Sequence, residues 1–121
     1  VRTDLAVPIS RLPEVVDESY RRGDAAGISL YAFGHAGLGI LHVLIAERPD
    51  DARRWQAALR AKDEILRFVL ALGGTVSGEH GLGSGNRQYA ALEHGESLAL
   101  MKQVKAVFDP HGILNPGKIW E

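Results

Sequence analysis

The sequence predicts an α+β domain, an antiparallel sheet with helices packed on one face, in the order β-α-β-β-α-loop-α-tail. Three observations carry this expectation. Residues 27–33 and 40–47 are β-rich runs around a glycine-rich centre, 34–39, which marks a hairpin. Two longer stretches repeat their apolar residues at the helical period. The chain has 121 residues, 45% of them hydrophobic, enough for one core but small for a complete enzyme with a large cofactor.

Each element follows from local chemistry. In residues 3–9, Leu5, Val7 and Ile9 alternate with Asp4, Ala6 and Pro8, a strand pattern with Pro8 at an edge or an end. Ser10 is placed to cap the next helix, with Pro13 in its first turn. Val15, Val16 and Tyr20 form that helix's buried side, and Gly23 ends it. Pro49, Asp50 and Asp51 open a long helix whose apolar positions are Trp55, Ala58, Leu59, Ile65, Leu66, Val69 and Leu72. It stops at Gly73 and Gly74, and a glycine-rich loop runs on through Gly85. A final helix carries Leu98, Met101, Val104, Val107 and Phe108, and Asp109-Pro110 terminates it. The tail, 112–120, is irregular.

Composition removes several function classes. With 14 basic and 15 acidic residues and no long run of one sign, nothing suggests a nucleic-acid groove or a polybasic membrane anchor. The absence of cysteine excludes disulfides, thiolate catalysis and cysteine-ligated clusters on this chain. No apolar stretch is long enough to cross a bilayer, so a cytoplasmic location, or one peripheral to the membrane, is expected. The chain starts at Val1 directly in a strand-like run, which leads us to expect a piece of a longer protein.

The hairpin carries the first chemical clue. Folding it between Leu38 and Gly39 sets His35 opposite His42, on one face, with Cβ atoms about 4.5–5.5 Å apart. Ile28, Leu30, Ala32, Leu41, Val43 and Ile45 then share an apolar face. Tyr31, Phe33, His35, His42 and Leu44 share the other, a mixture suited to a pocket or an interface. Two imidazoles at that separation can converge on one divalent ion. On spacing alone, two solvated histidines beside a turn are the favoured reading.

A third ligand changes that balance. Glycines in the loop containing Gly78-Glu79-His80-Gly81 let adjacent side chains aim at one place. Glu79 can supply an oxygen ligand beside His35 and His42, leaving His80 as a base. A phosphate cradle fits less well, because no Gly-Lys-Ser/Thr ending is present and the loop follows a helix. A tight turn with both side chains solvated also remains open.

Three stretches together resemble a known family: GHAGLGILH (34–42), GGTVSGEHGLG (73–83) and VFDPHGILNPGKI (107–119). They are similar to the C-terminal (cap) region of FAD-linked oxidases of the vanillyl-alcohol-oxidase type. The branch nearest in motif contains D-lactate dehydrogenase, glycolate oxidase and D-2-hydroxyglutarate dehydrogenase. DLAVP (4–8) also looks like the strand that comes first there.

The resemblance implies a half ferredoxin-like cap domain over FAD bound mainly by an N-terminal domain absent from this chain. It implies a divalent metal (Zn, Fe or Mn) on His35, His42 and Glu79, with His80 as catalytic base. It also implies that the turn at Asn115 approaches the flavin. Residues 1–108 would be the cap-like part, and 109–121 a tail packed on the FAD domain of the same protein. Two stretches depart from the family pattern: Leu38 and Ile40 stand where polar residues are usual in the hairpin turn, and Ser84-Gly85-Asn86 replaces the charged residues that commonly follow the glutamate–histidine loop.

The expected function is oxidation of a 2-hydroxy acid to a 2-oxo acid by the complete protein, the isolated fragment being inactive and able to form a homodimer. The alternative is a non-catalytic cap-like binding module or degenerate paralogue, which Leu38 and Ile40 favour.

Overall fold

A computed structural model of the chain describes residues 1–120. The elements are β1 (Arg2–Ala6), α1 (Leu12–Ala26), β2 (Leu30–His35), β3 (Ile40–Ile45), α2 (Ala52–Ala71), α3 (Ala90–His94) and α4 (Ser97–Phe108). They form two compact units, Val1–His80 and Gly81–Glu121. The fold class is α+β, as the sequence predicts. Among the described residues no helix is long and apolar enough to cross a membrane.

In the first unit the strands form an antiparallel sheet in the order β1-β3-β2. β3 is therefore central, and β1 and β2 run parallel on either side of it. Its register fixes two faces. Thr3, Leu5, Leu30, Leu41, Val43 and Ile45 are buried on one of them. α1 and α2 pack on each other and on this sheet, contributing Val15, Ala58, Ile65, Leu66 and Val69 to the core. Each fully buried aliphatic side chain stabilises the fold by about 1.5–3 kcal/mol relative to exposure. The other face carries Asp4, Tyr31, Phe33, His35, His42 and Leu44, so the chemistry lies away from the helices.

The hairpin pairs differently from the sequence expectation. His42 stands opposite Phe33, and His35 stands opposite Ile40. The turn is a four-residue loop, a single 3-10 turn over Ala36–Leu38 followed by Gly39 at φ 70°, and not a two-residue turn. This moves the pairing by two residues. Because side chains alternate with a period of two, a shift of two leaves every residue on its expected face. Gly39 is also needed for close approach: a Cβ there would lie 2.1 Å from the Val7 carbonyl oxygen.

Both boundaries of α1 also differ. Ser10 caps nothing; it lies in a 3-10 turn, Ile9–Arg11, and β1 is shorter than expected at its far end. α1 runs through Gly23 to Ala26 and ends at Gly27, whose φ of 63° supplies the left-handed residue that closes a helix. Gly23 instead serves packing, since a Cβ would meet the Leu30 Cβ at 3.1 Å. On this helix Val15 is buried and Val16 half-buried. Tyr20 is exposed, its hydroxyl accepting from the Ala32 N–H at 3.2 Å on the edge strand. α2 starts as read, with the Asp51 carboxylate accepting from the Arg54 N–H at 3.0 Å.

The second unit contains a 3-10 turn (Arg87–Tyr89) and α3, which the sequence reading leaves as loop, and then α4. Tyr89 and Ala90 are buried. α4 buries none of its residues; Met101, Val104, Val107 and Phe108 are all exposed. It ends at Asp109 as expected. That carboxylate accepts from the N–H groups of Ile113 and Leu114, both at 2.9 Å, and pairs with Lys105. The Lys105 hydrogen bond is the main reason its carboxyl lies below the ordinary carboxylate range.

Candidate metal centre on the open sheet face

One row of side chains crosses the sheet: Asp4 on β1, His42 on β3 and Phe33 on β2 are mutual neighbours in register. Beyond α2 the chain returns to this row. Thr75 bridges Ala6 in antiparallel fashion, with N–H to O distances of 3.0 and 2.8 Å, and so is tied to the outer edge of β1. The next residues then run alongside β1 and place Gly78, Glu79 and His80 over Asp4.

The Asp4 carboxylate organises that segment. Its Oδ2 accepts from the backbone N–H of Glu79 at 2.7 Å and of His80 at 2.8 Å. Gly78 makes this possible. Its φ is +47°, and a Cβ there would lie 2.3 Å from the Asp4 carboxyl carbon. Asp4 is only 7% exposed, and its Oδ1 lies 2.9 Å from His42 Nδ1. Apart from that contact, Oδ1 is a buried oxygen without a hydrogen-bond donor among the described residues. A proton on His42 Nδ1 is what would stabilise it, which leaves the Nε2 lone pair facing outward.

That lone pair faces Glu79. Glu79 Oε1 lies 3.3 Å from His42 Nε2 and 3.4 Å from His35 Nε2. The structure thus brings His35, His42 and Glu79 together, each offering a ligand atom within 4.8 Å of the others. The two rings meet edge to face with centroids 5.6 Å apart, across a diagonal of the hairpin and not directly opposite. A neutral imidazole nitrogen facing a carboxylate oxygen is two acceptors in contact, and only a proton or a cation between them relieves it. Ligand atoms on a tetrahedral ion with bonds of about 2.0–2.1 Å are about 3.3–3.4 Å apart. The donor set therefore fits a small divalent ion in chemistry and in the two separations to Glu79.

His80 stands beside this set and is the most open of its histidines, its side chain 67% exposed. It stacks on His42 with centroids 5.3 Å apart and an interplanar angle of 16°. Its Nδ1 lies 3.7 Å from Asp4 Oδ2, and its Nε2 lies 3.8 Å from Glu79 Oε1. Asp4, His42 and His80 form a second group with ligand-like spacing. The Oδ2 of Asp4, however, is already engaged by two backbone N–H groups. Asn115 belongs to the other unit; it is exposed and adopts a φ of 48°, a left-handed conformation that asparagine tolerates.

Asp4 is the residue that sequence reasoning missed. A signal existed: aspartate is depleted in strands, yet Asp4 sits inside an alternating strand pattern.

Residues 1–119 match the family described as FAD linked oxidases, C-terminal domain. The mitochondrial D-lactate dehydrogenase [cytochrome] of Arabidopsis thaliana is 36% identical over 118 residues, covering 97% of this chain and 21% of that protein. A D-lactate dehydrogenase of Archaeoglobus fulgidus is 34% identical over 117 residues, covering 96% and 26%. The D-2-hydroxyglutarate dehydrogenase of Pantoea ananatis is 38% identical over 117 residues, covering 96% and 11%. The chain thus spans about a quarter or less of these relatives. A family match over nearly every residue, in a fold whose open face gathers the motif histidines, makes the chain a member of the FAD linked oxidase C-terminal domain family.

Proposed function

We propose that this chain is the cap part of a flavoenzyme that oxidises a 2-hydroxy acid to a 2-oxo acid. The observation that carries the reading is the convergence of His35 Nε2 and His42 Nε2 on Glu79 Oε1 at 3.4 and 3.3 Å, beside the exposed His80. The relatives' names, D-lactate and D-2-hydroxyglutarate dehydrogenases, support the substrate class.

His35, His42 and Glu79 would hold a divalent ion (Zn, Fe or Mn), and Asp4 would fix the His42 tautomer through Nδ1. When bound, the ion supplies positive charge toward the substrate's carboxylate and hydroxyl oxygens, and FAD supplies the two-electron acceptor. His80 takes the hydroxyl proton. The imidazolium so formed has Asp4 Oδ2 and Glu79 Oε1 within 3.7 and 3.8 Å, which stabilises its charge without a hydrogen bond locking the ring. Stacking on His42 holds the ring plane. The FAD domain would lie elsewhere in the same protein, with the exposed apolar side of α4, the tail from 109 and Asn115 facing it. No membrane-spanning helix is needed for this role, and a cytoplasmic or membrane-peripheral enzyme fits it.

A second reading keeps the cation site without catalysis. Ile40, directly opposite His35, and Leu38, 70% exposed in the turn, favour it by putting apolar surface at the edge of the site. Flavin reduction by D-lactate and D-2-hydroxyglutarate in the complete protein separates the two. Rapid bleaching of the flavin with either acid, abolished in Glu79→Ala, supports the enzyme; metal uptake with no bleaching supports the binding module.

A further inference from the structure

The helical side of the first unit carries a second concentration of charge, remote from the histidines. A cleft of about 430 Å³ lies between α1 and α2, bordered by Arg21, Arg22, Arg53, Arg60 and Glu64. Its floor is made small by Ala25 and Ala26 on α1 and Ala57 and Ala61 on α2. The alanines leave the space and the long arginines rim it. That volume is in the range of small-molecule sites, about 300–1,000 Å³.

The charges do not balance. Glu18 accepts from Arg21 Nε and Nη2 at 2.7 and 2.6 Å and from Arg22 Nε at 2.7 Å. Arg22 also pairs with Glu64. Glu18 and Glu64 thus engage Arg21 and Arg22, and neither pairs with the other two arginines of the cleft. Among the described residues, the guanidinium groups of Arg53 and Arg60 have no ion pair or hydrogen bond. They are seven residues apart on α2, roughly 10.5 Å along the axis and on one side of the helix, with Ala57 between them. Cations gathered in a cleft raise the local anion concentration, and a guanidinium fork matches two oxygens of a phosphate.

We propose that the cleft between α1 and α2 binds a phosphate-bearing anion through Arg53 and Arg60. A dianion matches these two guanidinium groups in charge, and a group with several tetrahedral oxygens can engage both forks at once. Arg21 and Arg22 contribute field, their own forks being held by Glu18 and Glu64. This site is independent of the redox reading, since it uses none of the residues on the open sheet face.

The test is calorimetric titration of the chain with inorganic phosphate and pyrophosphate at low salt. A parallel arm sediments it with phosphatidylcholine vesicles, with and without phosphatidylglycerol. Saturable binding in either arm is expected, weakened by added salt; the arm that responds identifies a free phosphate or a lipid headgroup as the source. Replacing Arg53→Ala and Arg60→Ala together should lower the affinity by about tenfold or more. Arg48→Ala, an exposed arginine outside the cleft that pairs with Asp50, should leave it unchanged. No saturable binding in any arm overturns the proposal, as does equal binding by the double variant with an unchanged melting transition.

Discussion

Asp4 stands directly opposite His42 across the β1–β3 pair, and its buried Oδ1 lies 2.9 Å from His42 Nδ1. This contact ties a strand residue to the orientation of a candidate ligand whose other nitrogen faces Glu79 at 3.3 Å. Replacing Asp4 with Asn keeps the shape but removes the charge that favours a proton on Nδ1. Partners of this kind typically change metal affinity by about 10–100-fold. Asp4→Asn should therefore weaken zinc binding by about that factor, read by competition with a chromophoric chelator. Unchanged affinity would show that Asp4 serves only to hold the loop.

Gly78 tests the loop itself. A Cβ at this position would press into the Asp4 carboxylate at 2.3 Å, and the residue's φ of +47° disfavours any L side chain. Both effects act in the folded state. Gly78→Ala should destabilise the chain by about 1–3 kcal/mol, the usual cost of strain at a special backbone position. Urea unfolding followed by circular dichroism measures this, and zinc affinity should fall with it as the Glu79 and His80 N–H groups leave Asp4.

The sequence held some of this site and hid the rest, for physical reasons. Alternation in 40–47 assigns His42 to the face opposite the core, and no even shift of register can alter that. The pairing partner was hidden because Gly37 and Gly39 permit several turn lengths; the choice comes from Gly39 closing against Val7. Gly23 read as a helix stop because its packing against Leu30 is invisible until β2 is placed. Asp4 read as an ordinary strand residue because its partners, Glu79 and His80, lie more than seventy positions away. Motif residues close in sequence were legible. The carboxylate that joins them was not.

Away from the site, Glu47 predicts how the fold responds to acid. Its carboxylate accepts from Arg54 Nε at 2.7 Å, Arg54 Nη2 at 2.8 Å and the Ser29 N–H at 2.9 Å. The Arg54 hydrogen bond is the largest of the causes that lower its pKa from 4.5 to about 2. A carboxyl depressed in the folded state stabilises the fold above its unfolded pKa, and the contribution is lost as pH falls through the folded value. This part of stability should be complete above about pH 4.5 and gone near pH 2. Thermal melts of Glu47→Gln should show lower stability at pH 7 and a flatter profile across that window. A variant whose profile parallels the native one would place the acid sensitivity in other groups.

His80 separates base from ligand. Its backbone N–H is fixed on Asp4 while its ring, 67% exposed, touches the set only by stacking on His42 and by contacts of 3.7 and 3.8 Å. A ring that loosely held can reach a substrate hydroxyl, and removing it leaves His35, His42 and Glu79 in place. In the complete protein, His80→Ala should lower turnover by about 10²–10⁴-fold, the range for a positioned acid–base group. Bound metal, measured by elemental analysis, should stay at the native level. A small exogenous base such as imidazole should restore part of the rate, since the space left by the ring is open to solvent. Loss of metal in this variant would instead assign His80 to the ligand group with Asp4 and His42, the other constellation with suitable spacing. Glu79→Gln, made alongside, should do the reverse and lose metal, so the pair of variants distinguishes the two assignments by metal content alone.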